Sequence, residues 1–160
     1  MKFMKPITLF ATFMLALSIH TQAQSLPDQG QLGIRANVTG QATIEIPYML
    51  NEDFSLAPYL GLNAVQDQST SLNIGFRPRY YLGLTNTVAT YFTGTLGFAN
   101  TSFSNTNSSV TDFTLGVGYG AEYFFSDKFS TSADVNLNSR FGDSATSLFT
   151  VARVSASVYF

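Results

Sequence analysis

Residues 148–160 read LFTVARVSASVYF, and their two-residue rhythm decides the fold. Leu148, Thr150, Ala152, Val154, Ala156, Val158 and Phe160 share one face of an extended chain, while Val151, Arg153, Ser155, Ser157 and Tyr159 share the other. Successive side chains of a strand point to opposite sides of a sheet, so this segment reads as a strand with one apolar and one polar face. The rhythm recurs upstream. Phe113, Leu115, Val117, Tyr119, Ala121 and Tyr123 oppose Thr114, Gly116, Gly118, Gly120 and Glu122; Leu32, Ile34, Ala36 and Val38 oppose Gly33, Arg35 and Asn37.

After residue 25 no stretch carries helical periodicity, and none is long and apolar enough for a membrane helix. Eight segments alternate instead: Leu32–Val38, Ala42–Leu50, Phe54–Ala64, Leu72–Leu82, Val88–Ala99, Phe113–Phe125, Phe129–Leu137 and Leu148–Phe160. Their lengths cluster near the roughly 9–11 residues that a tilted membrane strand needs. The expectation is an all-β fold: a single eight-stranded antiparallel up-and-down transmembrane β-barrel over residues 31–160.

Alternation alone does not say which face is outside. A soluble, secreted lipocalin-like barrel holding a small apolar ligand has the same period with its apolar side inward. Three features favour the membrane. Only 11% of residues are charged, against roughly 25% in ordinary soluble domains, and beyond the first residues the only lysine is Lys128. The polar faces are built from Gly, Ser, Thr and Asn, which suit a narrow interior better than a water-facing surface. The connections also alternate in length. Leu50–Asp53, Gly83–Asn86 and Ser126–Lys128 read as tight turns, and Val65–Thr70, Asn100–Asp112 and Asn138–Ser147 as longer polar loops. Outer-membrane barrels pair short periplasmic turns with longer external loops in this way; only the short Thr39–Gln41 connection breaks the pattern. Finally, aromatic residues gather at the turn end. Tyr48, Phe54, Tyr80, Tyr81, Tyr123, Phe125 and Phe129 are expected to form an interfacial girdle, with Phe124, Tyr159 and Phe160 nearby.

The first residues read as a secretory signal peptide, residues 1–23. Lys2 and Lys5 supply its basic region, Ile7–Ile19 its apolar stretch, and Thr21 and Ala23 a cleavage site of small residues. Residues 24–30 are then a short periplasmic segment. Cleavage removes both lysines and the single histidine, His20, leaving six basic against ten acidic residues, net −4. Such a chain has no nucleic-acid footprint. With no Cys anywhere and no His after cleavage, the commonest nucleophile–base pairs are missing, so no catalytic residue, metal ligand or cofactor is expected.

The signal peptide, eight alternating strands and the closing VARVSASVYF together resemble the small OmpA/OmpX-type outer-membrane barrels, and the hairpins are similar to barrel domains common in Bacteroidota. That resemblance implies residence in the bacterial outer membrane, contact with membrane lipid, and recognition by the barrel-assembly machinery through Val154, Ala156, Val158 and Phe160. Position 158 is often Tyr in the family, a modest departure here.

Seven ionisable residues fall on the polar faces: Arg35, Glu45, Arg77, Arg79, Glu122, Asp134 and Arg153. A lumen of eight strands is just wide enough for side chains to fill, and charges buried in it must be paired. A hairpin centred on Gly40 sets Arg35 opposite Glu45, and one centred near Asp143 and Ser144 sets Asp134 opposite Arg153; Arg77 and Arg79 then reach across to Glu122. A structural plug of ion pairs, a narrow ion-conducting pathway and a ligand site all remain open. The expected role is structural, with the external loops contacting an envelope or extracellular partner.

Overall fold

The computed structural model describes residues 26–39, 42–66, 68–104 and 108–160. Among these residues there is no helix, and nine strands follow in order: β1 Gly33–Asn37, β2 Thr43–Glu45, β3 Tyr48–Met49, β4 Phe54–Val65, β5 Ser69–Thr85, β6 Val88–Phe103, β7 Ser108–Ser126, β8 Phe129–Gly142 and β9 Ser147–Tyr159. Each pairs antiparallel with its sequence neighbour from β4 to β9. The sheet closes because β1 lies against β9, with Ile34 opposite Val158, while β2 bonds both β1 and β4. Strands β2 and β3 form one pass interrupted at Ile46–Pro47. Proline has no amide hydrogen to give a ladder, yet its carbonyl still accepts from Gly33 N at 2.9 Å, and Ile46 N donates to Pro58 O at 3.0 Å. The architecture is thus a closed, eight-pass, up-and-down antiparallel barrel.

The passes run longer than the sequence suggests. Strand β7 has 19 residues, about twice what a tilted membrane crossing requires. The expected Asn100–Asp112 loop is mostly ladder: Ser102 faces Ser109 and Phe103 faces Ser108. Likewise Val65 pairs with Ser69, and Arg140 with Ser147. In the sequence, polar runs of Ser, Thr and Asn look like loop because they lack an apolar face. Above a membrane no such face is needed, and pairing still satisfies the backbone. At the opposite end Asn86, at φ 57°, makes the two-residue turn that joins Thr85 to Val88, so β5 reaches past the expected stop at Leu82. The signal peptide and the Gly40–Gln41 turn lie outside the described residues.

The two faces are sorted opposite to a soluble protein. Ile34, Leu60, Phe92, Leu115, Val135 and Val154, from six different passes, are 43–60% exposed on the outer wall. Arg35, Glu45, Arg79, Glu122, Asp134 and Arg153 are at most 5% exposed inside. An apolar belt of this extent precipitates a protein in water but is solvated by lipid tails. This sorting overturns the lipocalin-like alternative, whose interior would be apolar. The barrel is a transmembrane one.

Candidate functional site

The lumen is filled from the turn end upward. At its base Met49, Tyr81, Ala89, Tyr91, Phe124 and Tyr159 pack into a buried cluster, with Leu26 and Leu84 against it. Leu26 is held there because the chain after it turns and docks: Gln31 N donates to Asp28 O at 3.0 Å, and Gly30 N to Met49 O at 2.8 Å. Tyr81 is therefore not a girdle residue, and Phe124 and Tyr159 do not face the interface either. The cause is parity. Tyr80 points out, so its neighbour Tyr81 must point in. The other girdle candidates lie on the outer wall. Tyr48, Tyr80 and Tyr123 are exposed, whereas Phe54, Phe125 and Phe129 are half-buried. Ring centroids of Tyr123 and Phe125 are 4.7 Å apart, and those of Phe125 and Phe129 are 5.3 Å apart. A second outward aromatic group, unforeseen in the sequence, lies toward the loop end, where Phe113 packs between Phe98 at 5.5 Å and Phe141 at 6.0 Å.

Above the plug the seven charged residues form one alternating chain. Arg77 bonds Glu45 Oε1, and Arg35 Nη1 reaches Glu45 Oε2 at 3.3 Å. Arg35 Nη2 lies 3.9 Å from Glu122 Oε2, to which Arg79 Nη1 donates at 2.9 Å. Arg79 Nη2 is 3.5 Å from Asp134 Oδ2, and Arg153 Nε donates to Asp134 Oδ1 at 2.9 Å. Every carboxylate thus lies between two guanidinium groups. The register explains two of these contacts, since Arg35 faces Glu45 and Asp134 faces Arg153. It does not explain Arg77, which turns to Glu45 instead of the expected Glu122.

Uncharged partners complete the network. Tyr81 and Tyr159 hydroxyls donate to Glu122 at 2.8 and 3.0 Å, and Ser130 does so as well. Tyr91 donates to Asp134 Oδ2 at 3.0 Å, joined by Asn136. Ser157 accepts from Arg35 Nε at 3.0 Å, and Ser132 from Arg79 Nη2 at 3.3 Å. The guanidinium groups of Arg77 and Arg79 also lie over Tyr59 and Tyr91, at 4.4 and 4.1 Å from the ring centroids. The sequence points to none of these neutral groups as a partner of the charges, and it groups Tyr81 and Tyr159 with the girdle, although parity places them all on the lumen side.

Glycine makes room for this filling. A side chain at Gly120 would meet Asp134 Cβ at 2.6 Å and Tyr91 Cζ at 2.8 Å, and one at Gly118 would meet the Asn136 amide carbon at 2.6 Å. The Gly-x-Gly-x-Gly rhythm of β7 is therefore the space occupied by the Asn and Asp side chains of β8.

Toward the loop end the filling stops. A cavity of about 260 Å³ opens there, bordered by Arg77, Arg153, Thr43, Thr95 and Asn138 from the lumen and by Arg140 at its mouth. Arg140 also lies above the Phe149 ring, 5.0 Å from its centroid. At the rim, Asp112 fixes the β8–β9 turn by accepting from Ser144 N and Oγ at 2.9 and 2.8 Å. The four assembly-signal candidates face away from this site, on the outer wall of β9 and just after it. Val154, Val158 and Phe160 are exposed, and Ala156 is half-buried. Among the described residues no group of three or more His, Cys, Asp or Glu side chains is placed to hold a metal ion.

No protein-family model matches the chain, and no curated protein matches it in sequence. Solved structures do match it. The N-terminal β-barrel domain of Pseudomonas aeruginosa OprF superposes with a TM-score of 0.63 at 19% identity, covering 82% of this chain and 98% of that one. Neisserial surface protein A gives 0.58 at 17% identity, over 81% and 92% of the two chains. Ail, the attachment invasion locus protein of Yersinia pestis, gives 0.52 at 12% identity, over 82% and 99%. The chain has the fold of the small bacterial outer-membrane barrels.

Proposed function

We propose that this protein is an outer-membrane scaffold that presents a rigid loop-end surface to a partner outside the cell, and that it is neither a pore nor an enzyme. The observation that carries this reading is the extension of β5 to β8 past the apolar belt. A ladder that continues through Ser102–Ser109 and Phe103–Ser108 holds the surface in one shape, and a pre-organised surface loses little entropy on binding. Phe103, about two-fifths exposed at the end of β6, is an apolar contact at that rim. The name of Ail, one of the barrels with this fold, speaks of attachment, which is consistent with such a role.

The interior supports the rest of the reading. Open aqueous pores belong to barrels of about 16–18 strands, and here the lumen is closed by an ion-pair chain above an aromatic plug. Both oxygens of each lumen carboxylate are already engaged by guanidinium or hydroxyl donors, which leaves none free to take a substrate proton. The lipid-facing residues of β9, Val154, Ala156 and Val158, with Phe160, are the edge we assign to the assembly machinery. No nucleic acid is a partner.

Cysteine labelling tests the loop-end surface directly, because the chain has no native thiol. Ser104→Cys should react with a membrane-impermeant maleimide on intact cells, and Ser126→Cys should react only after lysis. In parallel, Phe103→Ser should reduce cell-to-cell or cell-to-surface attachment while leaving the barrel folded. Labelling in the reverse order, or attachment unchanged by Phe103→Ser and by removal of the whole protein, would sink the proposal.

A further inference from the structure

The alternating chain in the lumen has a consequence at its ends. Written in order it runs Arg77, Glu45, Arg35, Glu122, Arg79, Asp134, Arg153, so it begins and ends on arginine. Each acid is shared by two bases, and one positive charge is left over. Both terminal arginines border the same loop-end cavity, and Arg140 adds a third cation at its mouth. Among the described residues no carboxylate lines that cavity, and none lies within ion-pair distance of Arg140. Three buried polar groups on its wall have no hydrogen-bond partner: the donors Arg77 Nε and the Thr95 hydroxyl, in residues only 7% and 5% exposed, and the Asn138 amide oxygen, whose side chain also carries an NH2 donor. Buried donors and excess buried positive charge both call for a negatively charged acceptor.

We propose that the loop-end cavity is a binding site for a small free oxyanion, held by Arg77, Arg140 and Arg153. A volume of about 260 Å³ admits a tetrahedral oxyanion with a few waters, each occupying about 30 Å³. Guanidinium groups are the side chains best matched to such oxygens, since they offer paired donors in a plane. Arg77 and Arg153 are fixed by their acids and contribute pre-oriented charge. Arg140, at the mouth, is placed to close over the anion.

The test uses the full mature barrel, folded in detergent at low ionic strength, with inorganic phosphate as the probe and calorimetry or phosphorus NMR as the readout. Saturable binding is expected. It should weaken about five- to tenfold in Arg140→Ala, the loss of one charge-assisted contact, and be unchanged in Lys128→Ala, which alters a turn-end cation. Arg140 is exposed and its guanidinium lies over the Phe149 ring, with the rim carboxylate of Asp112 acting on it from beyond ion-pair distance. Its replacement is expected to leave the fold intact, and the heat-dependent gel shift of each variant checks this. Three results would overturn the proposal: no saturable binding to the folded wild type, equal affinity in Arg140→Ala, or an effect that chloride reproduces at the same ionic strength. This site is independent of the surface role above, because the attachment assays read Phe103 and not the cavity.

Discussion

Glu122→Gln removes one charge from the centre of the lumen while keeping its shape. In the wild type this carboxylate accepts from Arg79 at 2.9 Å and from the Tyr81, Tyr159 and Ser130 hydroxyls, and it lies 3.9 Å from Arg35. Glutamine offers one acceptor oxygen and puts an NH2 group where the other oxygen stood. At least one hydroxyl or guanidinium donor then meets another donor, and the excess of positive charge in the lumen rises from one to two. Breaking a buried ion pair from one side costs about 3–5 kcal/mol, and the network geometry places Glu122→Gln in that range. Urea titration of the barrel in lipid vesicles, followed by the gel shift, measures it. Glu52→Gln, in an exposed turn, is the control and should stay within about 0.5 kcal/mol of wild type. In an Arg79→Met background the Glu122→Gln loss should shrink by at least about 1 kcal/mol, because one of the orphaned charges is already gone. A loss below about 1 kcal/mol in Glu122→Gln, or strict additivity with Arg79→Met, would refute the ion-pair chain.

Other substitutions probe other parts of the account. Gly120→Val drives a side chain into Asp134 and Tyr91 and should cost at least about 1–3 kcal/mol or prevent folding, whereas Ala133→Val on the outer wall should refold normally on gels. Val135→Arg, near the middle of the lipid face, should cost about 2–4 kcal/mol in vesicles; no loss would mean that face does not meet lipid. Tyr81→Phe should lose about 1–2 kcal/mol through its buried bond to Glu122, while Tyr80→Phe should be neutral in the same titration. In planar bilayers the wild-type barrel should show no stable conductance step, and a step of porin size would contradict a filled lumen.

Strand parity was legible in the sequence, and it carried most of the fold. It gave the lumen set and, through simple hairpin arithmetic, the Arg35–Glu45 and Asp134–Arg153 pairs. Where the reading failed, a second rule competed with parity. Tyr81, Phe124 and Tyr159 resemble girdle residues in the sequence because they sit near strand ends beside true interface residues. Parity alone sends them inward, where their hydroxyls or rings fill the base of the lumen. Contacts across the lumen were not legible at all. Whether Arg77 reaches Glu45 or Glu122 depends on the tilt and stagger of the closed sheet, which no single hairpin encodes. The loop-end extension was hidden for a related reason. Hydrophobic alternation marks only the part of a strand that meets lipid, so the Ser- and Thr-rich ladder above it carries no such mark. Arg140 escaped notice because it stands in that polar stretch.

The central claim is that charge lies inside this barrel and hydrocarbon outside. Outer membranes from cells expressing the full chain, washed in urea and run boiled and unboiled on a detergent gel, test it most directly. The protein should stay with the membranes and change mobility on boiling, as a closed barrel resistant to detergent does. Release by the wash, with identical mobility in both lanes, would contradict it.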